Sequence, residues 1–168
     1  MATVRAAQNH SPATGSIEVQ PRRRILAIDY GRKRIGLALS DELCLMAQPL
    51  STLTRVNRQS DVRSLREICR QYAVARIIVG HPLHMTGEAG EMADEAARFA
   101  ARLRKELGLE VELMDERLTS WEAERMTVGS KSDASRKRQP IDDIAAAVLL
   151  REYLNRKTSS AAGEAEGG

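Results

Sequence analysis

Two short apolar runs of strand character, Ile25 to Ile28 and Ile35 to Leu39, stand on either side of a turn built from Gly31, Arg32, Lys33 and Arg34. Runs of this kind joined by such a turn read as a β-hairpin. One carboxylate, Asp29, interrupts the first run. A charge inside a buried strand is costly unless it is paired, hydrogen-bonded or bound to a metal. Asp29 therefore asks for a function before it asks for a structural role.

The rest of the chain supplies what such a hairpin needs. Ala47 to Leu53 is a candidate third strand, and Pro49 consigns it to an edge or a strand start. From Ser60 the period changes: Val62, Leu65, Cys69 and Tyr72 recur at helical spacing, with Ser60 as N-cap, and predict a helix over Asp61–Tyr72. Ala75 to Gly80 reads as a buried strand, His81 to Gly90 as a loop. Met92, Ala96, Phe99, Leu103 and Leu107 mark a long helix stopping near Gly108. Leu109 to Met114 alternates like a strand and runs into Asp115 and Glu116. Thr119 and Glu122 form a capping-box pair that opens a short helix to about Val128, and Gly129 to Pro140 is a basic loop. The last helix, Ile141 to Arg156, is apolar on more than one face and should pack on the sheet. Strands joined through helices are parallel by the right-handed crossover. The order thus predicts an α/β fold around a mixed sheet, antiparallel at its start and parallel in its second half. If the first strand lies beside the fourth, Asp29 and the Asp115/Glu116 pair face the same end, where open α/β sheets bind ligands.

Bulk properties narrow the function. A chain of 168 residues has room for one domain with a real core, expected over 22–157, between disordered tails at 1–21 and 158–168 that lack apolar periodicity. Lys and Arg number 26 against 23 Asp and Glu, a formal net charge of +3 that leans toward polyanionic partners. Cys44 and Cys69 stand alone, without a CxxC or Cys/His cluster, which argues against a disulfide framework or a structural zinc and for a cytoplasmic setting. No run approaches a membrane span. Aromatic residues, at 3%, are too few for a broad base-stacking platform.

Asp142 and Asp143 open the last helix, where acids ordinarily complement the helix dipole. Asp115 and Glu116 have an equally ordinary role as a solvated strand end. Together with Asp29, however, carboxylates converging from three elements would make a hard oxygen site suited to Mg²⁺ or Mn²⁺. Two ions about 4 Å apart in such a site support phosphodiester hydrolysis. Arg32, Lys33 and Arg34 on the hairpin, and Lys131, Arg136, Lys137 and Arg138 on the loop before Asp142, flank it as candidate contacts to a nucleic-acid backbone. His84 and Arg117 join them as further candidates. His81 and His84 do not form a catalytic pair, and Trp121, at a helix start, is assigned to the core.

Four ordered segments carry a resemblance: DYGRKRIG at Asp29 to Gly36, VGHPLHMTG at Val79 to Gly87, DERLTS at Asp115 to Ser120 and IDDIAAAVLL at Ile141 to Leu150. In order and spacing they resemble the YqgF family, which is similar to the RuvC type of Holliday-junction resolvase and whose members are named as pre-16S ribosomal RNA nucleases. The resemblance covers Arg24 to about Asn155. It implies a ribonuclease H fold with a five-stranded sheet ordered 3-2-1-4-5, strand 2 antiparallel. It also implies that Asp29, Glu116 and Asp142 are the catalytic metal ligands, with Asp115 and Asp143 as supporting or substitute ligands. The function it implies is a metal-dependent endonuclease that processes the 5′ end of precursor 16S rRNA. The alternatives are a resolvase of four-way DNA junctions, which would need a homodimer, and a non-catalytic nucleic-acid-binding module. The chain departs from the pattern in places. The resolvases place a carboxylate at the end of the fourth strand, here Gly80 and His81, and another one turn into the last helix, here Ala145 or Ala146. The family loop runs closer to GLPLNMDG, where this chain has His81, His84 and Thr86.

Overall fold

A computed structural model of the chain describes residues 24–84, 86–118 and 141–164. The N-terminal tail, the Thr119–Glu122 capping box and its short helix, Trp121, and the basic loop with Lys131, Arg136, Lys137 and Arg138 lie outside the described residues.

The hairpin is the middle of the sheet. β1 (Arg24–Tyr30) pairs antiparallel with β2 (Arg34–Ser40), and β2 pairs antiparallel with β3 (Ala47–Thr54). On its other side β1 pairs parallel with β4 (Val74–His81), which pairs parallel with β5 (Glu110–Asp115). The order is β3-β2-β1-β4-β5, the mixed sheet expected from the sequence. Helix α1 (Arg58–Gln71) joins β3 to β4, α2 (Glu91–Leu107) joins β4 to β5, and α3 (Ile141–Glu164) closes the described chain. Pro49 sits on the edge strand opposite Ala38, where the register shifts, so its missing N–H costs the ladder little.

Alternation along the strands divides the core into two layers. Leu26, Ile28, Leu37, Ile77, Val79 and Val111 face α1 and α2, where Val62, Leu65, Ala96, Phe99 and Leu103 meet them. Ala27, Ala38, Ile78 and Met114 face α3 and meet Ala146, Leu149, Leu150 and Tyr153. The side chains on the α3 face of β1 and β2 are small, so that helix comes close to the sheet. The even numbers of β1 thus point to one layer and the odd to the other, which sends Asp29 to the α3 side.

Several element boundaries differ from the sequence reading. Asn57, not Ser60, caps α1: its side-chain oxygen accepts the Ser60 N–H at 2.9 Å, and the helix begins at Arg58. Ser60 was persuasive because it precedes the apolar periodicity, but Asn57 lies one turn earlier and offers the same kind of acceptor. β5 extends through Asp115, and a single 3₁₀ turn, Glu116–Leu118, follows it. Helix α3 runs to Glu164 instead of ending at Arg156, taking in part of the segment expected to be a tail. Its hydroxyls are absorbed by the helix: Thr158 Oγ1 donates to the Leu154 carbonyl at 2.8 Å, Ser159 to Asn155 and Ser160 to Arg156, both at 3.0 Å. Among the described residues no helix is long and apolar enough to cross a membrane.

Candidate active site

Asp29 occupies the penultimate position of β1, half-buried, and pairs across the ladder with Gly36 of β2. Gly36 has no side chain because there is no room for one. A β-carbon there would lie 1.9 Å from the Asp142 carbonyl oxygen, so the first turn of α3 rests directly on the strand. Contact with this one glycine brings Asp142 from the far end of the sequence to the cross-strand neighbour of Asp29.

Glu116 reaches the same end of the sheet from the turn after β5. Its Oε1 stands 2.2 Å from where a β-carbon on Gly80 would be, so the carboxylate fills the place of the side chain that β4 lacks. Burial, followed by the negative charges of Asp29 and Asp115, pushes the Glu116 carboxyl up to about 7. All three influences act in one direction. Burial thus weighs most on Glu116, and the charge of Asp29 is close enough to act on it at the same end of the sheet.

Asp115 is placed differently from its neighbour. Arg117 holds it with the guanidinium at 2.6 to 3.1 Å and with the backbone N–H at 3.0 Å. The Arg117 hydrogen bond keeps the Asp115 carboxyl below the usual range. The same guanidinium lies against Gly87, so Arg117 ties the end of β5 to the β4 to α2 loop. Asp142 carries Arg34 beside it, Nε to Oδ2 2.8 Å. The contact is an ion pair without the alignment of a hydrogen bond, and that buried oxygen accepts none among the described residues. Asp143 is 7% exposed, with Oδ1 equally unsatisfied. Thr52 Oγ1, across the ladder from Gly36, is a further such atom among the described residues.

The basic candidates separate in the same way. Arg32 bonds Glu91 at 2.9 Å and Glu95 at 3.0 Å, anchoring the hairpin turn to α2. Lys33 is exposed, and its side chain makes no ion pair among the described residues. The His84 ring folds back over Gly90 at the start of α2, its Nε2 2.6 Å from a β-carbon position there. His81 ends β4 opposite Asp115 and adds to the lowering of that carboxyl.

Among the described residues no three His, Cys, Asp or Glu side chains are drawn together closely enough to hold a metal as they stand. The donor set nevertheless fits a hard divalent cation. Its donors are carboxylate oxygens, the Glu116 carboxyl is raised by burial and by the neighbouring acids Asp29 and Asp115, and Asp142 has a buried oxygen with no hydrogen bond among the described residues. The sequence reading missed Gly36 and Gly80, although a glycine inside an apolar strand signals close approach of another group. It also missed Arg55 and Asp61, which form a buried pair at 2.9 Å behind the hairpin.

Comparisons with known proteins agree with this architecture. The relative from Koribacter versatilis is 40% identical over 134 residues, covering 80% of this chain and 88% of that protein. The relative from Geobacillus kaustophilus is 43% identical over 136 residues, covering 80% and 99%. Both bear the name "Putative pre-16S rRNA nuclease". The structure of T. thermophilus RuvC in complex with a Holliday junction substrate is similar with a TM-score of 0.52, at 16% identity and over 81% of this chain and 97% of that one, and shares the ribonuclease H-like fold. Residues 23–156 match the family described as "RuvX: Holliday junction resolvase". That match spans the whole sheet and all but the last turns of α3, and the chain belongs to the RuvX family.

Proposed function

We propose that the chain is a metal-dependent endonuclease that hydrolyses a phosphodiester bond in structured RNA, with the precursor of 16S rRNA, the substrate in its relatives' names, as its target. The observation that carries this reading is the meeting of Asp29 and Glu116 at the open end of the sheet, with the Glu116 carboxyl raised to about 7. Asp29, Glu116 and Asp142 would hold Mg²⁺ or Mn²⁺. When bound, the cation acidifies water and stabilises charge on the departing oxygen.

The chain's own residues have distinct parts. Asp29 and Glu116 would supply carboxylate oxygens to the cation, Glu116 in its ionised form. Arg34, poised on Asp142, and the exposed Lys33 steady the phosphates on either side of the scissile bond. Arg117 holds Asp115 and so orients the turn that carries Glu116. Water attacks phosphorus in line as the bond to the 3′ oxygen breaks. The 3′ oxygen takes up a proton, leaving a 5′-phosphate and a 3′-hydroxyl.

The test is incubation of the purified protein and its Asp29→Asn variant with precursor 16S RNA and with a four-way DNA junction, in Mg²⁺, Mn²⁺ and chelator. The expected outcome is metal-dependent RNA cleavage that falls at least about 100-fold in the variant, the scale of losing one charge-stabilising group. Cleavage indifferent to the substitution would sink the mechanism. The family's own description favours a second reading, resolution of branched DNA by a dimer. Paired nicks in the junction, with the RNA untouched, would put that reading first. Salt-sensitive binding of both substrates with cleavage of neither would make the chain a binding module.

A further inference from the structure

On the face of the sheet opposite the carboxylates, the end of the hairpin, the β3 to α1 junction and α2 border a cleft of about 540 Å³. Five arginines line it, Arg32, Arg55, Arg58, Arg98 and Arg102, against two acids, Asp61 and Glu95. The acids are already engaged. Arg55 is a buried strut: Nε bonds Asp61 at 2.9 Å, Nη1 donates to the Gly31 carbonyl at 3.0 Å, and the guanidinium lies 4.7 Å over the Tyr30 ring. Arg32 takes Glu95, together with Glu91 outside the cleft.

The other three arginines are less fully matched by acids among the described residues. Arg58 and Arg98 are exposed and make no ion pair among the described residues, and Arg102 reaches only Glu106, at 3.7 Å. Unneutralised guanidiniums around a concave surface raise the local potential and select anions, and their planar forks suit phosphate oxygens. Arg98 and Arg102 stand one helical turn, about 6 Å, apart along α2. Arg58 adds a third charge from α1. Cations set in a row suit the successive phosphates of a polymer better than one small anion. The cleft is also next to the carboxylate end: Tyr30 lines it, and the preceding residue, Asp29, faces the other layer.

We propose that this cleft is a second phosphate-binding track for the polynucleotide, gripping backbone phosphates beyond the scissile bond through Arg58, Arg98 and Arg102. The proposal rests on the nuclease reading of the carboxylate end. It is tested by fluorescence anisotropy with 5′-labelled single-stranded RNAs of 6 and 24 nucleotides across a salt series. The proteins are the wild type, Arg58→Ala/Arg98→Ala and Arg58→Lys/Arg98→Lys, with melting curves to establish that each folds. For the alanine pair the 24-mer should bind about tenfold more weakly, and its log–log salt slope should fall by ~1.4, two phosphates at ~0.7 each. The lysine pair should recover most of that slope. Binding of the 6-mer, long enough for the carboxylate end alone, should be unchanged.

An unchanged slope, or equal losses on both lengths, would overturn the track. So would tight ATP binding that the alanine pair abolishes while 24-mer binding stays intact, because the cleft would then be a small-anion site. The two readings fail separately. If the wild type cleaves no RNA and the 24-mer still loses its slope, the nuclease reading falls and the track stands. If cleavage is normal and the slope does not move, the reverse holds.

Discussion

Glu116 carries the largest consequence of any single residue. Its carboxyl is raised from an ordinary 4.5 to about 7 in the folded chain, so between those values the folded state binds more protons than the unfolded state. Stability is then full below about pH 4.5 and is lost as pH rises to about 7, by at most about 3 kcal/mol. Without metal, the melting temperature should fall across that window. Glu116→Gln, which cannot ionise, should flatten the slope and melt higher than the wild type at pH 8. Adding Mg²⁺ or Mn²⁺ at pH 8 should raise the melting point of the wild type and leave that variant nearly unmoved, as read by calorimetry. Asp29 was legible in the sequence because it breaks an apolar run. The Asp115/Glu116 and Asp142/Asp143 pairs were legible as carboxylates converging on it, but only the family resemblance singled out Glu116 and Asp142, because adjacent acids at a strand end or in a first turn look alike whether or not they do chemistry. The Arg34 contact to Asp142 could not be read at all, since it depends on where α3 lands.

Where α3 lands is decided between elements, and two glycines separate the causes. At Gly36 an added β-carbon would meet the Asp142 backbone at 1.9 Å, so the whole helix must shift. At Gly80 it would meet the end of the Glu116 side chain at 2.2 Å, which can swing aside. Gly36→Ala should therefore cost about 2–3 kcal/mol, in the range of core overpacking, and lower the melting temperature by about 5–10 °C. Gly80→Ala should leave the melting temperature within about 2 °C, as a displaced side-chain end costs little, yet reduce turnover by dislodging a carboxylate. Parallel loss of stability and turnover in both variants would defeat this distinction. The elements themselves were legible, because periods of 2 and 3.6 are written in the apolar residues. Their ends were not: Asn57 and Ser60 offer α1 equivalent caps, and the Ser and Thr of 158–160 read as tail until each hydroxyl finds a carbonyl one turn back.

At the scale of the molecule, the hairpin is tied down on both sides. Arg34 meets Asp142 on the α3 side, while Arg32 meets Glu91 and Glu95, and Arg55 with Asp61 braces Gly31 and Tyr30, on the α1 and α2 side. The Arg55 to Asp61 pair is the deepest of these ties, with side chains 14% and 4% exposed. Asp61→Ala would strand a buried guanidinium and should lower stability by about 3–5 kcal/mol, seen as a shifted midpoint in urea. Loss on the scale of a surface pair, below about 1 kcal/mol, would show that the brace is dispensable. This brace was invisible in the sequence because its partners, six residues apart, belong to a loop and a helix that meet only once the sheet has formed. The pleat gives the hairpin a further property. Asp29 and Tyr30 are consecutive on one strand and look in opposite directions, so a slip of one residue in the pairing of β1 would exchange them. A residue inserted before Asp29 in β1 would turn the aspartate into the arginine-lined side and leave the carboxylate end without its central charge, so changes of length there are all-or-none for function, while changes of residue type can be graded.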